Sequence, residues 1–261
     1  MGNPQSMEHH FERVTSVYTH VRNTDPGVVE AIISFLRVDK TPIDVADIAC
    51  GTGRYSKIIA ARLNSNLRLF CCDNSNEMLS ECRNRMSREF PSQRTHYCLT
   101  SANDLPFADG YFDVVTTFNA VHHFDLDRFS SEAARILRPG GLLSIYTRTP
   151  EQNARTVWGQ HFPGFTKRET RLYRCERLEA AISDLSELYL ETIQEFKNVR
   201  VESVDSLLNR VRNFHYSTFT LYPTHEFLQA LDTFAKKLTD LSNDGAIKHT
   251  AENTMVLARR T

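Results

Sequence analysis

Asp47-Ile48-Ala49-Cys50-Gly51-Thr52-Gly53 joins an apolar run at 43–49 to a helix-like stretch at 53–63. The run is short and β-rich, as a buried strand requires. The two glycines let the chain turn sharply and let a ligand come close to the backbone. The helix that follows opens with unpaired N–H groups. A strand, a glycine turn and a helix in this order form the start of a βαβ unit. In open α/β sheets, ligands bind at this carboxyl end of the strands.

Working outward, the alternation continues. Strands are predicted at 67–72, 95–99, 112–118 and 142–147, and helices at 77–90 and 126–137. Pro139-Gly140-Gly141 reads as a turn, and Phe107, Phe112 and Val114 as core. Such alternation implies a parallel sheet with right-handed crossovers. Residues 1–40 read as helical. Within them Asp25-Pro26 forms an N-cap with Pro at the first helical position, ahead of an apolar face that includes Val28, Val29 and Ile32. The last third predicts helices at 177–188, 204–211 and 224–238, and strands at 191–199 and 253–259.

Asp73 closes the second strand about 20 residues after Gly53, where a carboxylate can accept from both hydroxyls of a ribose. The same Asp could instead cap the next helix, as could Asn74 or Ser75. These features alone also suit a nicotinamide dinucleotide. However, Ser56 stands where the third glycine of G-x-G-x-x-G would be.

The wider pattern carries a resemblance. VADIACGTGRYS (45–56), LFCCDNSNEML (69–79), SANDLPFADGYFDVV (101–115) with TTFNAVHHF (116–124), and EAARILRPGGLLSIYT (132–147) occur in order. Together they resemble the class I S-adenosylmethionine-dependent methyltransferases, in particular the UbiE-like group. The resemblance implies a Rossmann-like α/β fold with a seven-stranded, mostly parallel sheet in the order 3-2-1-4-5-7-6. It implies N-terminal helices and a helical insert before the last strand, with 253–259 as the antiparallel strand beside the fifth. The expected organisation is a single domain over 1–261. It comprises a helical cap (1–40), a cofactor-binding core (41–149), substrate-side helices with an insert (150–252) and a last strand (253–261).

Carried over by position, the cofactor would be S-adenosylmethionine. Asp47, Ala49, Cys50, Gly51, Thr52 and Gly53 would line its methionine side. Asp73 would hold the ribose with Asn74 beside it, Ser101 and Ala102 would meet the adenine, and Asn119 would lie near the sulfonium. Tyr18 and Arg22, one helical turn apart, would face the same site, with Arg22 as partner of the cofactor carboxylate or as a solvated charge. Two positions depart from the family pattern. Ala49 stands where the family has Gly, a change read as trimming space only, and Ser101 stands where many members have Asp.

The implied reaction is methyl transfer from S-adenosylmethionine to a small-molecule acceptor. His123 and His122 follow the fourth strand and could act as a base if the acceptor must lose a proton; a structural pair is the other reading. Arg148, Trp158, His161 and Tyr216 are the candidate acceptor contacts. The aromatic-rich segment 203–225 is expected to close the pocket as a lid. Two further functional readings stay open: a cofactor-binding regulatory or structural module without turnover, and a nicotinamide-dependent dehydrogenase.

Composition limits the partners. With 31 Lys and Arg against 32 Asp and Glu, the net charge is -1, so no basic surplus exists to neutralise phosphates, and no nucleic-acid partner is expected. No apolar run suits a membrane span, so no membrane is expected. Gly2 and Ser6 fit a loose myristoylation pattern on which nothing is built. The six Cys (50, 71, 72, 82, 98 and 175) lack zinc-knuckle spacing and read as small buried hydrophobes, which points to a reducing compartment, the cytoplasm. Cys71 and Cys72 are neighbours in a strand and should point to opposite faces. No metal is expected, and the oligomeric state is not legible.

Overall fold

The structure is a computed structural model. It describes residues 24–37, 42–90 and 94–261. Tyr18, Arg22, Gly2 and Ser6 lie outside the described residues. The chain divides into two compact units.

The first unit comprises 24–147, 175–194 and 254–261. It opens with α1 (Pro26–Ser34). Asp25 caps this helix by accepting from Gly27 N–H at 3.0 Å, with Pro26 in the first turn as the sequence predicts. Then follow β1 (Ile43–Ile48), α2 (Arg54–Leu63), β2 (Leu67–Asp73), α3 (Asn76–Ser87), β3 (Thr95–Leu99), β4 (Phe112–Phe118), α4 (Leu126–Ile136) and β5 (Leu137–Thr147). Every residue of β1 and β4 is buried. That is the signature of parallel strands covered on both faces, and it explains their unbroken apolar runs. Helix α4 buries Leu126, Phe129, Ala133 and Ile136 on one face and keeps Asp127 and Arg128 outside.

The sheet has seven strands in the order β3-β2-β1-β4-β5-β7-β6, as the resemblance implies. Strands β1 to β5 pair in parallel. The order reverses between β1 and β4, and a crevice for ligand forms at such a switch point. The last strand, β7 (Ala246–Arg260), is antiparallel to β5, with Leu142 opposite Arg259 and Thr147 opposite Thr254. Buried Arg259 donates to Glu191 Oε1, to the Gly140 carbonyl and to the Phe35 carbonyl, each at 2.9 Å. It thereby ties β7 to the start of β5 and to the end of α1.

Two readings need correction. Pro139-Gly140-Gly141 does not end in a free turn; it lies within β5, which starts at Leu137 and shifts register against β4 between Phe112 and Val114. The last two strands in the chain are also longer than predicted: β6 runs over Leu188–Ser203 and β7 over Ala246–Arg260, against predicted 191–199 and 253–259.

The second unit includes 148–174 and 195–253. After β5 come three short helices, α5 (Pro150–Arg155), α6 (Val157–His161) and α7 (Phe165–Arg168). Next in the chain is α8 (Cys175–Ser183), which belongs to the first unit, and then β6. The insert before β7 consists of α9 (Val204–Arg212), a 3-10 segment (Ser217–Leu221) and α10 (Thr224–Leu241). The core of this unit is aromatic, built around Trp158, Phe162, Phe165, Phe219, Phe227 and Phe234. No helix among the described residues is long and apolar enough to cross a membrane.

Candidate functional site

The loop between β1 and α2 holds three left-handed residues: Ala49 (φ 53°), Gly51 (φ 55°) and Gly53 (φ 72°). Cys50 N–H donates to the Cys72 carbonyl at 2.9 Å, which ties the loop to β2. A Cβ placed on Gly51 would meet nothing within 4 Å, so this stretch of backbone faces open space. Ala49 does more than trim space. Its Cβ occupies a backbone region that disfavours L side chains by about 1–2 kcal/mol, so the loop carries strain that a glycine would not.

Asp73, at the carboxyl end of β2, organises three segments. Its Oδ2 accepts from Gly51 N–H at 2.7 Å, and its Oδ1 accepts from Ser75 N–H at 3.0 Å. Its own carbonyl accepts from Thr100 N–H at 2.9 Å, which fixes the segment bearing Ser101 and Ala102. The cap of α3 falls to Ser75, whose hydroxyl accepts from Met78 N–H. Asp73 is therefore not the helix cap, and its two oxygens keep lone pairs beyond those the backbone uses. Burial raises its pKa, and the backbone donors of Ser75, Gly51 and Asn74 oppose that rise. Asn74 and Ser101 are exposed.

Asp47 sits differently from the expectation that it faces a ligand. It is fully buried, and its carboxylate accepts from Ser56 Oγ and from Thr116 Oγ1. Burial lifts its pKa to about 7. Its place is beneath the loop, linking α2 to β4. Thr52 and Gly53 are buried too, while Cys50 and Gly51 remain half-buried.

At the end of β4, Asn119 takes φ 55° and donates its N–H to the Tyr146 carbonyl at 2.7 Å. The 3-10 turn Val121–His123 then brings the rings of His122 and His123 to 4.1 Å from each other, both half-buried. An aromatic group that the sequence reading missed stands at these strand ends. Tyr55 stacks on Phe118 at 4.1 Å, and Tyr146 meets Tyr55 edge-on at 6.0 Å. The Tyr55 hydroxyl accepts from Asp25 N–H at 3.3 Å. Its only sequence signal was its position two residues after Gly53, in the first turn of α2.

In the second unit, three of the four predicted acceptor contacts come together. Arg148 donates to the Tyr216 hydroxyl at 2.7 Å and lies 5.1 Å from its ring centre; Trp158 meets Tyr216 edge-on at 5.3 Å. His161 is half-buried at the end of α6, its pKa lowered by burial and by Lys237. The aromatic residues of 203–225 do not require an external surface to bury them. Phe214, Tyr216, Phe219 and Tyr222 all pack on the unit's own core.

Comparison with known proteins fits this geometry. A family described as "Methyltransferase domain" matches residues 46–145. The chain is 32% identical over 163 residues to "Probable tRNA methyltransferase 9B" of Mus musculus, a match that covers 58% of this chain and 33% of that protein. It is 27% identical over 151 residues to the demethylmenaquinone methyltransferase of Bacteroides fragilis, covering 56% and 61%. The chain thus spans only a third of the mouse relative's length. Among solved structures, a candidate methyltransferase from Bacillus halodurans superposes with a TM-score of 0.62 at 21% identity, covering 88% of this chain and 97% of the other. The matched residues carry the glycine loop, Asp73 and the first five strands of the sheet, so over 46–145 the chain is similar to the methyltransferase domain family, and it shares the fold of its solved methyltransferase neighbours.

Proposed function

We propose that the chain binds S-adenosylmethionine at the carboxyl ends of β1 and β2 and transfers its methyl group to a small-molecule acceptor. The observation that carries this reading is the joint placement of Asp73 and the glycine loop. A buried carboxylate with spare lone pairs stands beside backbone that faces open space at Gly51. Those residues suit a ligand with a ribose diol.

Bound there, S-adenosylmethionine would supply an electrophilic methyl group on a cationic sulfonium. The chain's own contribution is to position and desolvate. Asp73 would accept from the ribose hydroxyls, Ser101 and Ala102 would border the adenine, and Asn119, held in its left-handed turn, would serve the methyl side. His122 or His123 holds the acceptor's proton where the acceptor must lose one. Arg148, Trp158 and Tyr216 form a polar-aromatic group suited to an acceptor with an apolar body and a polar end.

The net charge of -1 favours a small molecule over a nucleic acid. Because one relative is named as a tRNA methyltransferase, the assay includes both classes. Calorimetry with S-adenosylmethionine, S-adenosylhomocysteine and NAD tests the cofactor. Transfer of labelled methyl from S-adenosylmethionine into a metabolite extract, and separately into total tRNA, tests the acceptor. Label in the metabolite fraction alone is the expected result. Label in tRNA alone would overturn the acceptor class. Tight cofactor binding with no transfer to either would mark a binding module.

A further inference from the structure

Three sulfur atoms converge beneath the glycine loop. Cys50 Sγ, Cys71 Sγ and Cys82 Sγ all lie within 4.8 Å of one another. They come from three places: the loop after β1, the strand β2 and the helix α3. The convergence is therefore tertiary and does not follow from sequence spacing. All three are free thiols, and Cys50 Sγ donates to the Gly51 carbonyl at 3.6 Å. Cys71 and Cys82 are fully buried, whereas Cys50 is half-buried. The group has a dry base and one member open to entry from the loop.

We propose that these thiols form a binding site for a single thiophilic metal ion, of the class that prefers thiolate sulfur. Sulfur selects soft or borderline ions such as Cu(I) and Zn(II), whereas Mg2+ and Ca2+ require oxygen donors that this group lacks. Three sulfurs bound at about 2.3 Å around one ion stand roughly 4 Å apart. Small adjustments of the three side chains are enough to reach that arrangement. On binding, three S–H bonds are replaced by three S–metal bonds, three protons leave to solvent and no oxidation state changes.

The ion would act on the cofactor loop. Cys50 lies between left-handed Ala49 and Gly51, and a Cβ on Gly53 would come within 2.5 Å of Cys82 Sγ. An ion joining Cys50 to Cys82 would hold the loop from both flanks. Binding of the ion and binding of the nucleoside ligand are then linked reciprocally. This coupling rests on the proposed cofactor site; the metal site itself does not.

The test titrates the full, reduced chain with Cd2+ as a spectroscopic probe, and with Zn2+ and Cu+ against competing chelators. The expected result is one ion per chain, a sulfur-to-cadmium absorption band and release of about three protons. Affinity should fall at least tenfold in Cys50→Ser and in Cys82→Ala, and stay unchanged in Cys175→Ser. Cys50→Ser decides the matter if Cys82→Ala does not fold, since Cys50 is only half-buried. Failure of all three ions to bind would overturn the site, as would binding that survives Cys50→Ser. S-adenosylhomocysteine affinity is then measured with and without Cd2+. An unchanged affinity overturns the coupling alone, and no affinity at all counts against the cofactor reading rather than the metal site.

Discussion

The Asp73 carboxylate accepts from Gly51 N–H at 2.7 Å, so the second strand holds the turn that follows the first. Ser75 N–H donates to the other carboxylate oxygen at 3.0 Å. Asp73→Ala removes both acceptors as well as those proposed for the ribose. Cofactor affinity should fall by about 1.5–3 kcal/mol, the range for hydrogen bonds to a charged group. The protein without ligand should also lose stability, because two N–H groups lose their partner. Calorimetry and urea unfolding on the same variant read the two losses separately. Unchanged affinity in a folded variant would remove Asp73 from the site.

Ala49 offers a gain. Its φ of 53° lies where a Cβ costs about 1–2 kcal/mol. Glycine there removes that cost but adds about 0.5–1 kcal/mol of backbone entropy to be lost on folding. Ala49→Gly should therefore stabilise the protein by about 0.5–1 kcal/mol, and thermal unfolding should move up by about 1–4 °C. A lower melting temperature would show that the methyl group makes contacts worth more than the strain.

Gly53 couples to Cys82. Gly53→Ala should destabilise through two causes, its φ of 72° and the 2.5 Å approach of the new Cβ to Cys82 Sγ. Only the second cause disappears when the sulfur is removed. In a double-mutant cycle with Cys82→Ala, the two substitutions should cost less together than the sum of each alone, by about 1 kcal/mol or more. Strict additivity in urea unfolding would mean that the sulfur simply moves aside.

The sequence carried the inner sheet well, for a physical reason. Strands β1, β2 and β4 are buried among neighbours, so their apolar runs are dense, and Pro42 and Gly51 flank β1 while Gly110 precedes β4. The ends of β6 and β7 were not legible. From Glu195 onward β6 alternates exposed and half-buried residues, many of them charged, and Ala246 to Glu252 of β7 is largely half-exposed, so neither stretch has an apolar signature. The Asp73 position was legible from its spacing after Gly53. The left-handed turn at Ala49 and the meeting of Cys50, Cys71 and Cys82 were not, because backbone sign and tertiary convergence leave no local pattern.

Arg259 should prove structurally costly to remove. It pairs with Glu191 while donating to the Gly140 and Phe35 carbonyls, and its side chain is almost entirely buried. Arg259→Ala would strand those acceptors, a loss of about 3–5 kcal/mol for a broken buried pair. The lower end is expected, because Arg37 also reaches Glu191 at 3.0 Å. Urea unfolding checks this, and a loss below about 1 kcal/mol would show that Arg37 and solvent take over its role.

Asp47 should make stability depend on pH in a direction opposite to that of most carboxylates. Burial lifts its folded pKa to about 7, while the unfolded value lies near 3.9. Between those values the folded state binds more protons than the unfolded state, so stability falls as pH rises. The stabilising contribution is complete below about pH 4 and is lost as pH climbs through about 7. Asp47→Asn cannot ionise and keeps a carbonyl oxygen to accept from Ser56 or Thr116. Its stability relative to the parent should therefore increase by about 2–3 kcal/mol between pH 5 and pH 8 and change little above that. Urea unfolding of both proteins across this window gives the difference directly. A difference that stays flat would mean that Asp47 is ionised throughout, with its charge balanced by the Ser56 and Thr116 hydroxyls despite its burial.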